Sequence, residues 1–148
     1  MFSVVANRAT ILLAEDDRMD AELLERGFQR ASMSFTLKTV NDGTEVLAYL
    51  RGEGKYSDRR EYPLPDLLLL DMRMPRMDGF QVLSWLQRHG DYCKMPVILI
   101  GSSLSPESMI RACECGASCV LSKTNDMKKF AGELKQLIEI YLPCSSAG

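Results

Sequence analysis

Histidine occurs once in the 148 residues, at His89, and tryptophan once, at Trp85; aromatic residues make up only 7%. The five cysteines, Cys93, Cys113, Cys115, Cys119 and Cys144, are odd in number and contain no CxxC pair. That pattern argues against a disulfide framework and fits a reducing, cytoplasmic setting. Structural zinc is not supported either. The lone histidine is far from Cys113–Cys119, and on a helix Cys113 and Cys115 point about 200° apart. Neither sign of charge dominates, with 18 Lys and Arg against 20 Asp and Glu and a net charge of −2. Nothing electrostatic therefore calls for nucleic acid or an anionic membrane as a partner. No apolar run approaches the ~18 residues of a membrane span. The opening MFSVVANRAT has no long apolar stretch followed by a cleavage site, so it is not read as a secretory signal.

What is present is an ordinary globular composition, 46% hydrophobic and 26% charged. A single domain of this length buries roughly 70% of its unfolded surface. Short apolar runs alternate with amphipathic stretches. TILLA (10–14), FTLKTV (35–40), DLLLL (66–70), PVILI (96–100) and SCVL (118–121) read as strands. Helices are expected at 18–32, 43–52, 80–90, 105–116 and 126–142. Ser105 is the expected N-cap of the fourth, with Pro106 at its first position and Gly116 as its stop. Residues 53–65, polar and ending in proline, are expected to form an exposed insertion. Strands alternating with helices imply βαβ units, and strands apolar on both sides imply a sheet covered on both faces. The expected fold is α/β: a doubly wound, five-stranded parallel sheet.

Ligands in such sheets bind beyond the carboxyl ends of the strands. The residues found there are Glu15, Asp16 and Asp17 after the first strand and Asp71 after the third. Gly101, Ser102 and Ser103 follow the fourth, and Ser122, Lys123 and Thr124 the fifth. Several carboxylates and one lysine thus converge. Such acids repel one another unless a cation intervenes, and hard oxygen ligands favour Mg²⁺ or Mn²⁺. An ammonium facing an aspartate suits a phosphoryl group, and aspartate is itself a competent phosphoryl acceptor. Acids that merely cap helices would account for Asp17 or Asp78 alone, but not for the whole set.

The sequence resembles the response-regulator receiver family of two-component signalling, which has a flavodoxin-like fold. ILLAEDD is similar to its acidic-turn motif, LLLLDMRMPRMDG to its phosphoacceptor loop, and GASCVLSK to the stretch leading to its lysine. The resemblance implies Asp71 as phosphoacceptor and Lys123 as phosphate partner. It also implies Mg²⁺ or Mn²⁺ held by Asp16, by Asp71, by Glu15 through water and by the backbone carbonyl of Arg73. Pro75, Asp78 and Gly79 match positions that shape the loop and cap the next helix. The receiver domain would span 10–142, between an N-terminal extension at 1–9 and a tail at 143–148. The long loop at 48–66 and the ending soon after the fifth helix resemble single-domain receivers paired with phytochrome-type histidine kinases. The implied partners are a histidine kinase or phosphotransfer protein and a downstream protein. Beyond phosphoryl acceptance and slow autodephosphorylation, no enzyme activity is implied.

Three positions depart from the family pattern. Gly101 stands where the family carries Thr or Ser beside the phosphate, so that Gly101 and Ser102 flank the phosphoryl position. Val120 replaces an aromatic residue, and Thr124 replaces the proline after the lysine. These changes fall on the signalling switch and leave the acids and lysine intact. They also carry a second reading, a phosphorylation-independent binding module with a degenerate switch. An aspartate-nucleophile phosphatase is disfavoured, because its second aspartate would fall at position 73, which is Arg. RGEGKYS (51–57) lacks the spacing and context of a nucleotide-binding loop. The last helix carries Phe130, Leu134, Leu137, Ile138 and Tyr141, a stripe wide enough to add a homodimer face.

Overall fold

The computed structural model describes residues 8–30, 35–92 and 94–142. Cys93, Cys144, the far end of the expected first helix, most of the extension at 1–9 and the tail at 143–148 lie outside them. Five parallel strands are present: β1 (Ala9–Ala14), β2 (Phe35–Val40), β3 (Leu67–Asp71), β4 (Val97–Gly101) and β5 (Cys119–Ser122). Their order is β2-β1-β3-β4-β5, the doubly wound order in which the chain reverses direction across the sheet at β1 and β3. The connecting helices are α1 (Arg18–Arg30), α2 (Gly43–Arg51), α3 (Gly79–Arg88), α4 (Pro106–Glu114) and α5 (Met127–Tyr141).

The strand period of two sorts the apolar runs onto opposite faces. Leu12, Ala14, Leu68, Leu70, Val97 and Leu99 pack under Val46, Tyr49, Val82, Leu83, Trp85 and Ala112 from α2, α3 and α4. Ile11, Leu13, Leu67, Leu69, Ile98 and Ile100 pack under Leu24, Phe28, Phe130, Leu134 and Ile138 from α1 and α5. All four leucines of LLLL are fully buried, each contributing roughly 1.5–3 kcal/mol relative to an exposed side chain. Leu69 pairs in register with Leu13 on one side and Ile98 on the other. That register brings the ends of β1, β3 and β4 to one edge.

Helix starts are fixed by side-chain caps. Asp42 accepts from the Glu45 N–H, Ser105 from the Ser108 N–H and Asp126 from the Lys128 and Lys129 N–H groups. Asp78 and Gln81 form a reciprocal capping box on α3. The expected Ser105–Pro106 start is found; α4 closes at Cys115, ahead of Gly116 at φ 99.

Two boundaries differ from the sequence reading in a way that matters. Asp71 and Gly101 are the last residues of β3 and β4 and still belong to the ladder, whereas their strands were expected to end one residue earlier. Residues 53–65 are exposed only in part. Tyr56 is buried against Tyr49 and Tyr62, with ring centroids 5.0 and 5.1 Å away. The Arg59 guanidinium donates to the carbonyls of Tyr49, Leu50 and Tyr62 at 2.8–3.1 Å, closing the orphan carbonyls at the end of α2.

Candidate functional site

The crevice at the carboxyl edge is built from the ends of β1, β3 and β5. Glu15 extends the β1–β2 ladder, its N–H donating to the Val40 carbonyl at 3.1 Å. Asp71 ends β3 opposite Ile100. Lys123 follows β5 with its N–H donating to the Gly101 carbonyl at 2.8 Å. All three side chains are thus anchored through paired backbone. Glu15 is 3% and Asp71 8% exposed, whereas Asp16 lies open to solvent.

Carboxylate oxygens of Glu15, Asp16 and Asp71 lie within 4.8 Å of one another. The Lys123 Nζ is 2.9 Å from Glu15 Oε1, 2.9 Å from Asp20 Oδ2 and 3.7 Å from Asp71 Oδ2. Burial, and next the adjacent Asp71 carboxylate, push the Glu15 carboxyl well above its ordinary range, against the pull of Lys123. Burial alone would lower the Lys123 ammonium; its contacts with Glu15 and Asp20 and the charge of Asp71 outweigh that and raise it. One cation therefore faces three carboxylates, with Asp16 as a fourth in the same crevice. The donors are all hard oxygens, with no nitrogen or thiolate among them. This set fits a divalent oxygen-seeking cation such as Mg²⁺ or Mn²⁺.

Among known sequences, the response regulator receiver domain family matches residues 11–135. The chain is a response-regulator receiver. It is 30% identical over 118 residues to the response regulator Rcp1 of Synechocystis sp., covering 80% of this chain and 78% of Rcp1. Among solved structures it is similar to RPA3017, a response regulator in red light signalling of R. palustris. There the TM-score is 0.85 at 31% identity, over 93% of this chain and 96% of that one. The phosphorylated cyanobacterial phytochrome response regulator RcpA superposes with a TM-score of 0.82 at 27% identity, over 95% and 96% of the two chains. The resemblance read from the three motifs is thereby borne out, and so is the parallel receiver fold. The likeness extends to phytochrome-associated regulators.

The other residues singled out in this receiver fall into distinct places. The Arg73 N–H donates to Asp71 Oδ1 at 3.1 Å, orienting the carboxylate from the loop side. Pro75 is exposed; the Gly79 N–H donates to the Met72 carbonyl at 3.0 Å, so the loop closes on itself before α3. Gly79 has no room for a side chain, since an added Cβ would meet the Asp71 carbonyl oxygen at 2.8 Å. Asp17 stays outside the carboxylate cluster. Its Oδ1 accepts from the Met19 and Asp20 N–H groups, the capping role that sequence allowed for it.

Gly101 is the departure with a visible structural reason. A Cβ there would lie 2.8 Å from Leu104 Cδ2 and 3.2 Å from Met72 Cε, so these apolar side chains fill the space of the missing hydroxyl residue. Ser102 and Ser103 are exposed, Ser103 at φ 52, and Val120 is half-buried against the α2–α3 face of the core. Sequence reasoning missed Asp20. The available signal was a carboxylate one helical turn beyond Asp16, set on the same side of the acidic turn.

Proposed function

We propose that Asp71 accepts a phosphoryl group from a histidine kinase or phosphotransfer protein, and that the phosphorylated receiver signals through contact with a downstream protein. The observation that supports this most directly is the Asp71 carboxylate, held at the lip of a central strand with two acids and an ammonium around it. Glu15, Asp16, Asp71 and the Arg73 carbonyl would hold Mg²⁺ or Mn²⁺. Bound there, the cation would neutralise negative charge on the acids and on the transferring group. Rcp1 has been solved in a Mn²⁺-bound form, which favours the same class of cation here.

The chain's own groups then do the positioning. The Arg73 N–H fixes one Asp71 oxygen, leaving the other for in-line attack on phosphorus. Lys123 pairs with the phosphoryl oxygens as charge develops on them. Gly101 and Ser102 flank the phosphoryl position, and Pro75, Asp78 and Gly79 hold the loop in shape. Catalysis in this scheme is placement and charge neutralisation. No turnover of outside substrates is expected beyond slow autodephosphorylation. No helix of the described residues is long and apolar enough to cross a membrane, and the setting we propose is the cytoplasm.

Of the stripe expected to add a homodimer face, Phe130, Leu134 and Ile138 are buried in the core, so a dimer through the last helix would have to use its outer side, where Ile140 is 67% exposed; a wild-type chain that sediments as a monomer would exclude it. The phosphoacceptor reading is tested by intact mass after incubation with acetyl phosphate and Mg²⁺. Wild type should gain one phosphoryl group and Asp71→Ala none; equal gain in both ends the assignment. Pathway activity retained by Asp71→Ala would instead favour the phosphorylation-independent module.

A further inference from the structure

We infer that Asp20 is a positioning residue for Lys123, holding its ammonium where it meets the incoming phosphoryl group instead of the bare Asp71 carboxylate. The inference rests on the phosphoacceptor reading of Asp71. Lys123 Nζ has three protons to donate. Two are directed by carboxylates at 2.9 Å, Glu15 Oε1 and Asp20 Oδ2, while Asp71 Oδ2 at 3.7 Å is beyond hydrogen-bond range. The third N–H is left facing Asp71 across a gap that an oxygen one bond further out, on phosphorus, would close.

The partners of Lys123 divide unequally. Glu15 and Asp71 belong to the convergent carboxylate set together with Asp16, and Asp20 does not. When Glu15 and Asp71 turn towards a divalent cation, Asp20 is the partner still free to hold the lysine. It reaches the ammonium from the first turn of α1, with 27% of its side chain exposed at the rim. Without it, once Glu15 is engaged by the cation, the ammonium is left to lean on the nucleophile itself, 3.7 Å away, whose lone pairs it would occupy. In the labelling reaction, the bond from phosphorus to the acetyl oxygen of acetyl phosphate breaks and an Asp71 Oδ–phosphorus bond forms. Acetate leaves with the electron pair, and an occupied nucleophile slows that step.

The test compares wild type, Asp20→Asn, Asp20→Glu and Asp71→Asn with acetyl phosphate at saturating Mg²⁺, alongside Mg²⁺ affinity by calorimetry. Removing a negative charge would by itself ease the approach of an anionic donor, so slowing is the diagnostic sign. Asp20→Asn is expected to label about tenfold more slowly, the loss of one charged hydrogen bond, with Mg²⁺ affinity unchanged. Asp20→Glu, which restores the charge, should recover part of the rate. The inference is overturned if Asp20→Asn labels at the wild-type rate, if its Mg²⁺ affinity falls in step with its rate, or if Asp20→Glu is no faster than Asp20→Asn. Labelling of Asp71→Asn at the wild-type rate would instead sink the phosphoacceptor reading. Wild-type labelling by Asp20→Asn with none by Asp71→Asn would sink the inference alone.

Discussion

Arg76 holds its guanidinium Nε 2.9 Å from Asp42 Oδ2, a carboxylate almost wholly buried at the start of α2. Beside that pair the Gly43 N–H donates to the Met77 carbonyl at 3.2 Å. Together the contacts fasten the loop after Asp71 to a neighbouring helix. Arg76 sits at φ 66, a left-handed conformation that costs a non-glycine residue energy and persists where its surroundings enforce it. Burial works against the Asp42 charge, but hydrogen bonds from Thr44 and Glu45 and the charge of Arg76 prevail and keep its carboxyl below the usual range.

Gly43→Ala should therefore loosen the fold at this clasp. The added Cβ would run into the Met77 carbonyl oxygen, a backbone atom that cannot swing aside. Overpacking of this kind costs about 1–3 kcal/mol. The urea midpoint should drop with an unchanged slope, the sign of lost stability without a change of compactness.

Gly101→Thr, which supplies the hydroxyl residue of the family pattern, should destabilise this chain by about 1 kcal/mol, because Leu104 and Met72 already fill the space but do so with the ends of flexible side chains that can shift. Adding Leu104→Ala should return part of that loss. A double variant no more stable than Gly101→Thr would show that Leu104 is not the obstacle.

Divalent-cation affinity should rise with pH. Burial and the Asp71 charge keep Glu15 protonated above the ordinary carboxyl range, and a protonated carboxyl cannot serve as a ligand. The proton and the cation thus compete, and the competition favours the cation as pH climbs through the raised pKa of Glu15. Calorimetric titration with Mg²⁺ at about pH 6 and about pH 8 should find tighter binding at the higher value and more proton release per bound ion at the lower, where Glu15 is more fully protonated. Equal affinities would mean that Glu15 is already ionised at the lower pH.

Arg59→Ala should cost about 1 kcal/mol, because the part-buried carbonyls of Tyr49, Leu50 and Tyr62 lose a charged donor, although Tyr49 and Leu50 keep a second one from Gly52 and Tyr92. Arg59→Lys should recover little, since an ammonium cannot reproduce the planar fork that spans three acceptors. Urea denaturation of the three proteins decides it.

The sheet and most of the crevice were legible because a parallel strand covered on both faces leaves an unbroken apolar run, as in LLLL and VILI. The residue that ends such a run is then delivered to the sheet edge. Glu15, Asp71 and Lys123 could be placed from that rule. Asp20 could not, because its partner Lys123 lies 103 positions along the chain and only the fold, which packs α1 against α5 on one face of the sheet, joins them. The filling of Gly101 by Leu104 was equally hidden, since a glycine says nothing about what occupies its missing side chain. Residues 53–65 misled for a related reason: a polar, proline-ended stretch hides one buried tyrosine and one arginine turned inward.

That connection also constrains how the chain can change. The Tyr49 hydroxyl donates to the Pro63 carbonyl at 2.8 Å, the Tyr56 ring packs tilted beside it, and Arg59 returns to the same helix end. Shortening the stretch by a residue or two would break several of these ties at once. A transplant into another protein would succeed only if Tyr49 and the last turn of α2 moved with it. Substitutions within the segment should accordingly be tolerated best at the side chains that face water.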